Sequence, residues 1–220
     1  MNMGGPEMAP HTPQRSEAPR GTRGTPRDYE LILASASPRR RELLQTLVPE
    51  FDVIPSAVEE HLRPGPPTDA VARLAEDKAR AIAAMRPEAV VLGADTIVVI
   101  DDEALGKPSD AEDARGMLWR LRGRTHEVLT GVAVIRGDRA YTGTEVTRVL
   151  MASYPEDVVS RYVASGAPFD KAGAYAIQDL QGALVQGFVG SYSNVVGLPL
   201  DLTARLLTQA GVRVSSRASA

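Results

Sequence analysis

A mixed α/β sheet is the architecture this 220-residue sequence predicts, and three observations lead to it. Buried-strand runs such as Leu31-Ile-Leu33 and Ala89-Val-Val-Leu92 alternate with amphipathic stretches through the first half, the order of βαβ units with parallel strands. Two long strand-like runs, His126–Arg136 and Ala140–Val149, flank Gly137-Asp138, a hairpin turn that makes this pair antiparallel. A hydrophobic content of 43% with 24% charged residues suits one domain, or two close lobes, with a sizeable core.

Each element has its own local reason. Residues 1–28 hold nine Gly or Pro and no Val, Ile, Leu, Phe, Tyr or Trp, so they read as a disordered tail. After a strand at 30–34, Ser37 is a good N-cap and Pro38 suits the first helical position, which predicts a helix over 38–47. Phe51-Asp-Val-Ile54 reads as a short strand leading to Glu59-Glu60. Thr68 can cap a helix to about residue 85, with Val71, Leu74, Ala75, Ala79 and Ile82 on one face and Lys78 beside that stripe. Ala89–Leu92 then runs into Gly93-Ala-Asp-Thr96, read as a turn at a strand end, before Ile97–Ile100 resumes the strand. Ser109-Asp-Ala-Glu112 is a capping signal for a helix ending near Gly123. Past the hairpin, Pro155 starts a helix that stops at Gly166, and a strand near 183–189 and a helix near 199–209 follow a Gly-rich stretch. Residues 29–213 therefore form the domain, and 214–220 a flexible end.

Composition narrows the function. A net charge of −3 gives no sign of a nucleic-acid surface. No apolar run approaches the roughly 20 residues that span a bilayer, and the N-terminus lacks a secretory run, so a cytoplasmic enzyme without membrane contact is expected. Zero cysteines exclude disulfides, thiolate metal sites and a cysteine nucleophile. Three histidines (His11, His61, His126) argue against a histidine metal cage, so any metal should sit on oxygen.

The strongest chemical hint is the strand-to-helix junction Ala34-Ser-Ala-Ser-Pro-Arg-Arg40. Free N–H donors, the positive end of the helix dipole and two guanidinium forks meet there, which suits a phosphate chain; a solvated arginine pair has the same local pattern. Asp95, flanked by small residues after an apolar strand, is the best candidate for activating water, as base, metal ligand or both; an aspartate capping a turn would look alike. Glu59 or Glu60 offers a second oxygen ligand for Mg²⁺ or Mn²⁺, though paired loop glutamates are usually solvated. Lys78 and Lys107 could neutralise phosphate oxygens or simply snorkel. His126 opens a strand and reads as structural rather than catalytic. Asp170-Lys-Ala-Gly-Ala-Tyr-Ala-Ile-Gln178 could floor a pocket, with the Gln178 amide suited to a nucleobase edge. Gly190–Ser193 and Val196–Pro199 read as turn and helix entry.

Taken in order, Ala34-Ser-x-Ser-Pro-Arg-Arg40, Leu92-Gly-Ala-Asp-Thr96, Gly106-Lys-Pro108, Gly123-x-Thr-His126, Asp170-Lys-Ala-Gly-Ala-Tyr175 and Gly197-Leu-Pro199 resemble the Maf family of nucleoside triphosphate pyrophosphatases across about residues 30–210. The resemblance implies an inosine triphosphate pyrophosphatase-like fold: a twisted mixed sheet in two lobes with a central cleft. It implies hydrolysis of a nucleoside triphosphate to monophosphate and pyrophosphate with a divalent cation (Mg²⁺, Mn²⁺ or Co²⁺). By position, Asp95 matches the family's proton acceptor, and Ser35, Arg39, Arg40, Glu60, Lys78 and Lys107 match its polar pocket residues. Arg39, Thr96 and Gln178 match the positions tied to specificity in the subgroup acting on dTTP and UTP. Ala176 and Asp179 depart from that pattern, which has Gly at both. The expected partner is the nucleotide, with a homodimer open as an oligomeric state. Two alternatives stay open: the same chemistry on a modified or purine nucleotide such as 7-methyl-GTP, and a nucleotide-binding regulator of cell division without turnover.

Overall fold

The computed structural model describes Met1 and residues 29–215, so the expected N-terminal tail lies, apart from Met1, outside the described residues. A seven-stranded sheet is formed by β1 (Leu31–Leu33), β2 (Asp52–Val53), β3 (Val90–Ile100), β4 (Glu103–Leu105), β5 (Thr125–Arg136), β6 (Arg139–Met151) and β7 (Val185–Val189). Its order is β2-β1-β3-β5-β6-β7, with β4 attached to β3. The pairs β1–β2 and β1–β3 are parallel, and all others are antiparallel, so the sheet is mixed as the sequence predicts.

Helices α1 (Pro38–Leu47), α2 (Pro67–Ala83), α3 (Ala111–Leu121), α4 (Glu156–Ala164), α5 (Tyr192–Val196) and α6 (Leu200–Gln209) cover the sheet. Because strand side chains alternate between faces, β3 offers Val91, Ile97 and Val99 to one side and Val90, Leu92, Ala94, Val98 and Ile100 to the other. The first set packs with Ala75, Ala79 and Val71 of α2. The second set divides. Val90, Leu92 and Ala94 join α1 and α6 through Leu44, Leu47, Leu202 and Leu206, whereas Val98 and Ile100 join α3 and α4 through Leu118, Leu121, Val159 and Tyr162. Long strands thus run through two apolar clusters, which are the two lobes.

The local start signals hold at α1, where Ser37 Oγ accepts from the Arg40 N–H and Pro38 takes the first position. Two others shift. Helix α2 begins at Pro67, with Pro66 rather than Thr68 as N-cap, because a proline at the first position brings its own helical φ and its missing N–H would have had no partner within the helix there. Helix α3 is capped by Asp110, whose Oδ1 accepts from the N–H groups of Glu112 and Asp113 at 2.9 Å, and not by Ser109. At the C-terminal end the chain stays packed beyond residue 213: Val214 touches the α1–α6 core and the Ser215 N–H donates to Leu47 O, correcting the expectation of a flexible end from 214. Residues 216–220 lie outside the described residues.

The larger correction is at Gly93–Thr96. No turn interrupts the strand there; β3 continues from Val90 to Ile100, and Asp95 sits in its middle, paired with Gly131. Gly93 marks a close approach instead of a turn: a Cβ on it would lie 2.4 Å from Ala75 O of α2, and one on Gly131 would lie 2.4 Å from Val71 O. The two glycines let α2 lie directly against β3 and β5.

Candidate active site

The partners of β3 explain why a site can form in mid-strand. Strand β1 pairs with Val90–Leu92 and β4 with Val98–Ile100, on the edge of β3 away from β5. Between them the residues Gly93–Ile97 have no strand on that edge, and a cleft of about 400 Å³ opens there. Ser35 in the loop before α1, Arg39 and Arg40 in its first turn, Glu60, Lys78, Asp95, Thr96, Lys107 and the segment Asp170–Ala172 with Tyr175 line it.

Asp95 points to the α2 side. The approach permitted by Gly93 and Gly131 brings Lys78 within reach, so Lys78 Nζ donates to Asp95 Oδ1 at 2.5 Å and to Glu60 Oε1 at 2.8 Å. Both Lys78 and Asp95 are buried. Lys107, in the turn after β4, donates to Glu60 Oε2 at 2.6 Å and joins the two lobes across the cleft. Burial works against ionised Glu60, but hydrogen bonds and charge from Lys107 and Lys78 outweigh it and hold the carboxyl down at about 2.

Thr96 points to the opposite face, between the two apolar clusters. Arg40 reaches it there: Nη2 donates to Thr96 Oγ1 at 3.0 Å, Nη1 to Ser35 Oγ at 3.2 Å and Nε to Gly197 O at 2.9 Å. Burial lowers the Arg40 pKa, against the pull of Asp95 and Glu60. Behind Thr96 runs a polar seam: its hydroxyl meets Thr130 Oγ1 at 2.9 Å, Thr130 donates to Asn194 O, and Asn194 Nδ2 donates to Val128 O and Thr147 Oγ1. This seam escaped the sequence reading. Its one visible signal was a threonine and a glycine, Thr130-Gly131, within the otherwise apolar run 128–135.

On the far wall, Arg39 Nη1 lies 3.4 Å from Asp170 Oδ2. Gly106 O accepts from the Gly173 N–H, tying this segment to the Lys107 turn. His126 is structural in its contacts: buried, with Nε2 and the Tyr175 hydroxyl 2.6 Å apart, and its pKa lowered by burial to about 4. Gln178 is the predicted residue the structure leaves out. It is exposed and off the cleft lining, because a 3₁₀ turn at Asp179–Gly182 follows it while Tyr175 and Ile177 take the buried positions. Ser35, Arg39, Arg40, Glu60, Lys78, Asp95, Thr96 and Lys107 are brought together.

The donor set suits a hard divalent cation. Asp95 and Glu60 converge on one ammonium, so their oxygens face a common point, and one or two carboxylates with substrate phosphates form the usual Mg²⁺ sphere. Among the described residues no group of three or more His, Cys, Asp or Glu is gathered that could hold a metal, so phosphate oxygens would have to complete it. Among them, too, no helix is long and apolar enough to cross a membrane.

The chain matches the sequence model of a family described as Maf-like protein over residues 30–210. A Symbiobacterium thermophilum protein named dTTP/UTP pyrophosphatase is 51% identical over 183 residues, covering 83% of this chain and 94% of that one. A Myxococcus xanthus protein of the same name is 51% identical over 190 residues, covering 86% and 96%. The solved structure of the Staphylococcus aureus Ham1 protein aligns over 82% of this chain and 99% of that one with a TM-score of 0.46 and 14% identity, a likeness too slight to carry weight. With a family match that spans most of its length, and relatives about half identical over nearly the whole of theirs, this chain belongs to the Maf-like protein family.

Proposed function

We propose that this chain is a nucleoside triphosphate pyrophosphatase that cleaves dTTP and UTP to the monophosphate and pyrophosphate. The observation that carries the reading is the buried Asp95 carboxylate on an open strand edge, in a cleft whose walls bring Arg39, Arg40, Lys78 and Lys107 together. The names of the Symbiobacterium and Myxococcus relatives support the substrate.

In this reading Asp95 accepts the proton of the water that attacks the α-phosphorus in line, and Lys78 fixes the orientation of its carboxylate. Arg40 is held by three acceptors before substrate arrives, so little ordering is left to do when a phosphate oxygen comes within reach. Lys107 and Arg39, more exposed, meet the pyrophosphate leaving group from the cleft mouth. Asp95 and Glu60 would hold a divalent cation (Mg²⁺, Mn²⁺ or Co²⁺), which when bound neutralises phosphate charge and makes water more acidic.

Product analysis over a panel of nucleotides with each metal tests this. Monophosphate and pyrophosphate should form, faster from dTTP and UTP than from ATP and GTP. Diphosphate and orthophosphate would refute the cleavage position; a best rate on 7-methyl-GTP would move the substrate and leave the chemistry standing. Nucleotide binding without turnover would favour the regulator.

A further inference from the structure

The cleft wall opposite α1 carries an unbroken chain of charges. Asp170 divides its carboxylate: Oδ2 lies 3.4 Å from Arg39 Nη1, and Oδ1 accepts from Lys171 Nζ at 2.7 Å. Lys171 also donates to the Ala167 carbonyl and lies 3.6 Å from Asp179 Oδ2. That same oxygen accepts from the Tyr162 hydroxyl of α4. The burial differs along the chain: the Lys171 side chain is 9% exposed, Asp179 23% and Asp170 62%. An ammonium so enclosed must be balanced, and two carboxylates share it. While Asp179 takes part of that charge, Asp170 is free to give its other oxygen to Arg39. Without it, Lys171 draws both Asp170 oxygens, and Arg39 loses its hold on the far lobe. The wall turns through Gly173 and Ala174 at φ 66° and 61°.

From this juxtaposition we propose that Asp179 is a positioning residue: anchored by Tyr162, it balances Lys171 so that Asp170 holds Arg39 across the cleft for the incoming nucleotide. Asp179 does not line the cleft, so it acts only through its neighbours. The inference rests on the nucleotide pyrophosphatase reading.

Asp179→Asn keeps the size and removes the charge. The test measures kcat and KM on dTTP and UTP, the melting temperature, and amide hydrogen exchange across residues 167–182 without nucleotide, for wild type, Asp179→Asn, Tyr162→Phe and the double variant. Asp179→Asn should raise KM about five- to tenfold with kcat within about twofold, as expected when a preorganised charge-assisted contact is lost. Exchange should quicken in that segment, Tyr162→Phe should act in the same direction, and the double variant should add nothing. Unchanged KM with quickened exchange overturns the proposal, since the tether would then be structural only. A fall in kcat at unchanged KM, or unchanged exchange, also overturns it. Wild-type protein inactive on both nucleotides would refute the proposed function separately, and unchanged exchange in Asp179→Asn would still overturn the positioning role.

Discussion

The two walls of the cleft are built on different principles. Asp95 stands in the middle of an eleven-residue strand, bonded to β5 on one edge and pressed by α2 through two glycines that leave no slack. The opposite wall, built on the segment from Asp170, runs through short 3₁₀ turns with a non-glycine residue at positive φ; Ala174 and Tyr175 pack into the apolar core, and the charged groups Asp170, Lys171 and Asp179 are held by ion pairs and the Tyr162 hydroxyl. Close packing against α2 sets the backbone that carries Asp95, whereas polar contacts set the charged groups of the other wall. In the proposed mechanism the carboxylate tolerates little displacement, whereas polar contacts of the second kind can be retuned by single substitutions.

Four variants press on that contrast. Asp95→Asn should lower turnover at least ~10²-fold while the protein still melts cooperatively, because Lys78 keeps Glu60 as a partner; near-normal rates would remove Asp95 from the mechanism. Gly131→Ala should cost about 3 kcal/mol of stability in urea unfolding, since its Cβ would meet α2 backbone that cannot step aside. A loss below ~1 kcal/mol would mean the strand wall is softer than its contacts imply.

His126 gives a pH test between the two walls, because its ring joins β5 to Tyr175. Burial depresses its pKa from 6.5 to about 4, so the unfolded chain binds the extra proton first. Stability should therefore fall as pH drops from about 6.5 toward 4, by about 2–3 kcal/mol relative to His126→Gln. Parallel profiles for the two proteins would show that His126 does not titrate as its burial demands. The smallest effect is expected from Gln178→Ala: the side chain is exposed and off the cleft, so the dTTP preference should change less than about twofold. A tenfold erosion would show that the turn-built wall swings Gln178 inward when nucleotide binds.

Much of this was legible in the chain. The Ser37 cap, the Pro38 start, the β5–β6 hairpin and the amphipathic face of α2 all appear where local patterns put them, since caps, turns and periodicity act over a few residues. The polar residues singled out for the site also converge, apart from Gln178. Thr68 and Ser109 failed as caps because a neighbour, Pro67 or Asp110, satisfied the same helix start better.

By itself the sequence determined the mixed sheet, the longer strands and helices and the stock of groups able to meet a triphosphate, but not β4 or α5. Only the tertiary structure decided that Gly93 lies within a strand, that Lys78 pairs with Asp95, that Thr96 opens a polar seam to Asn194, and that Gln178 faces outward. The reason is range. A glycine two residues before an aspartate reads as a turn until a helix from elsewhere in the chain packs on it, and a carboxylate has no partner until strand register and helix approach supply one.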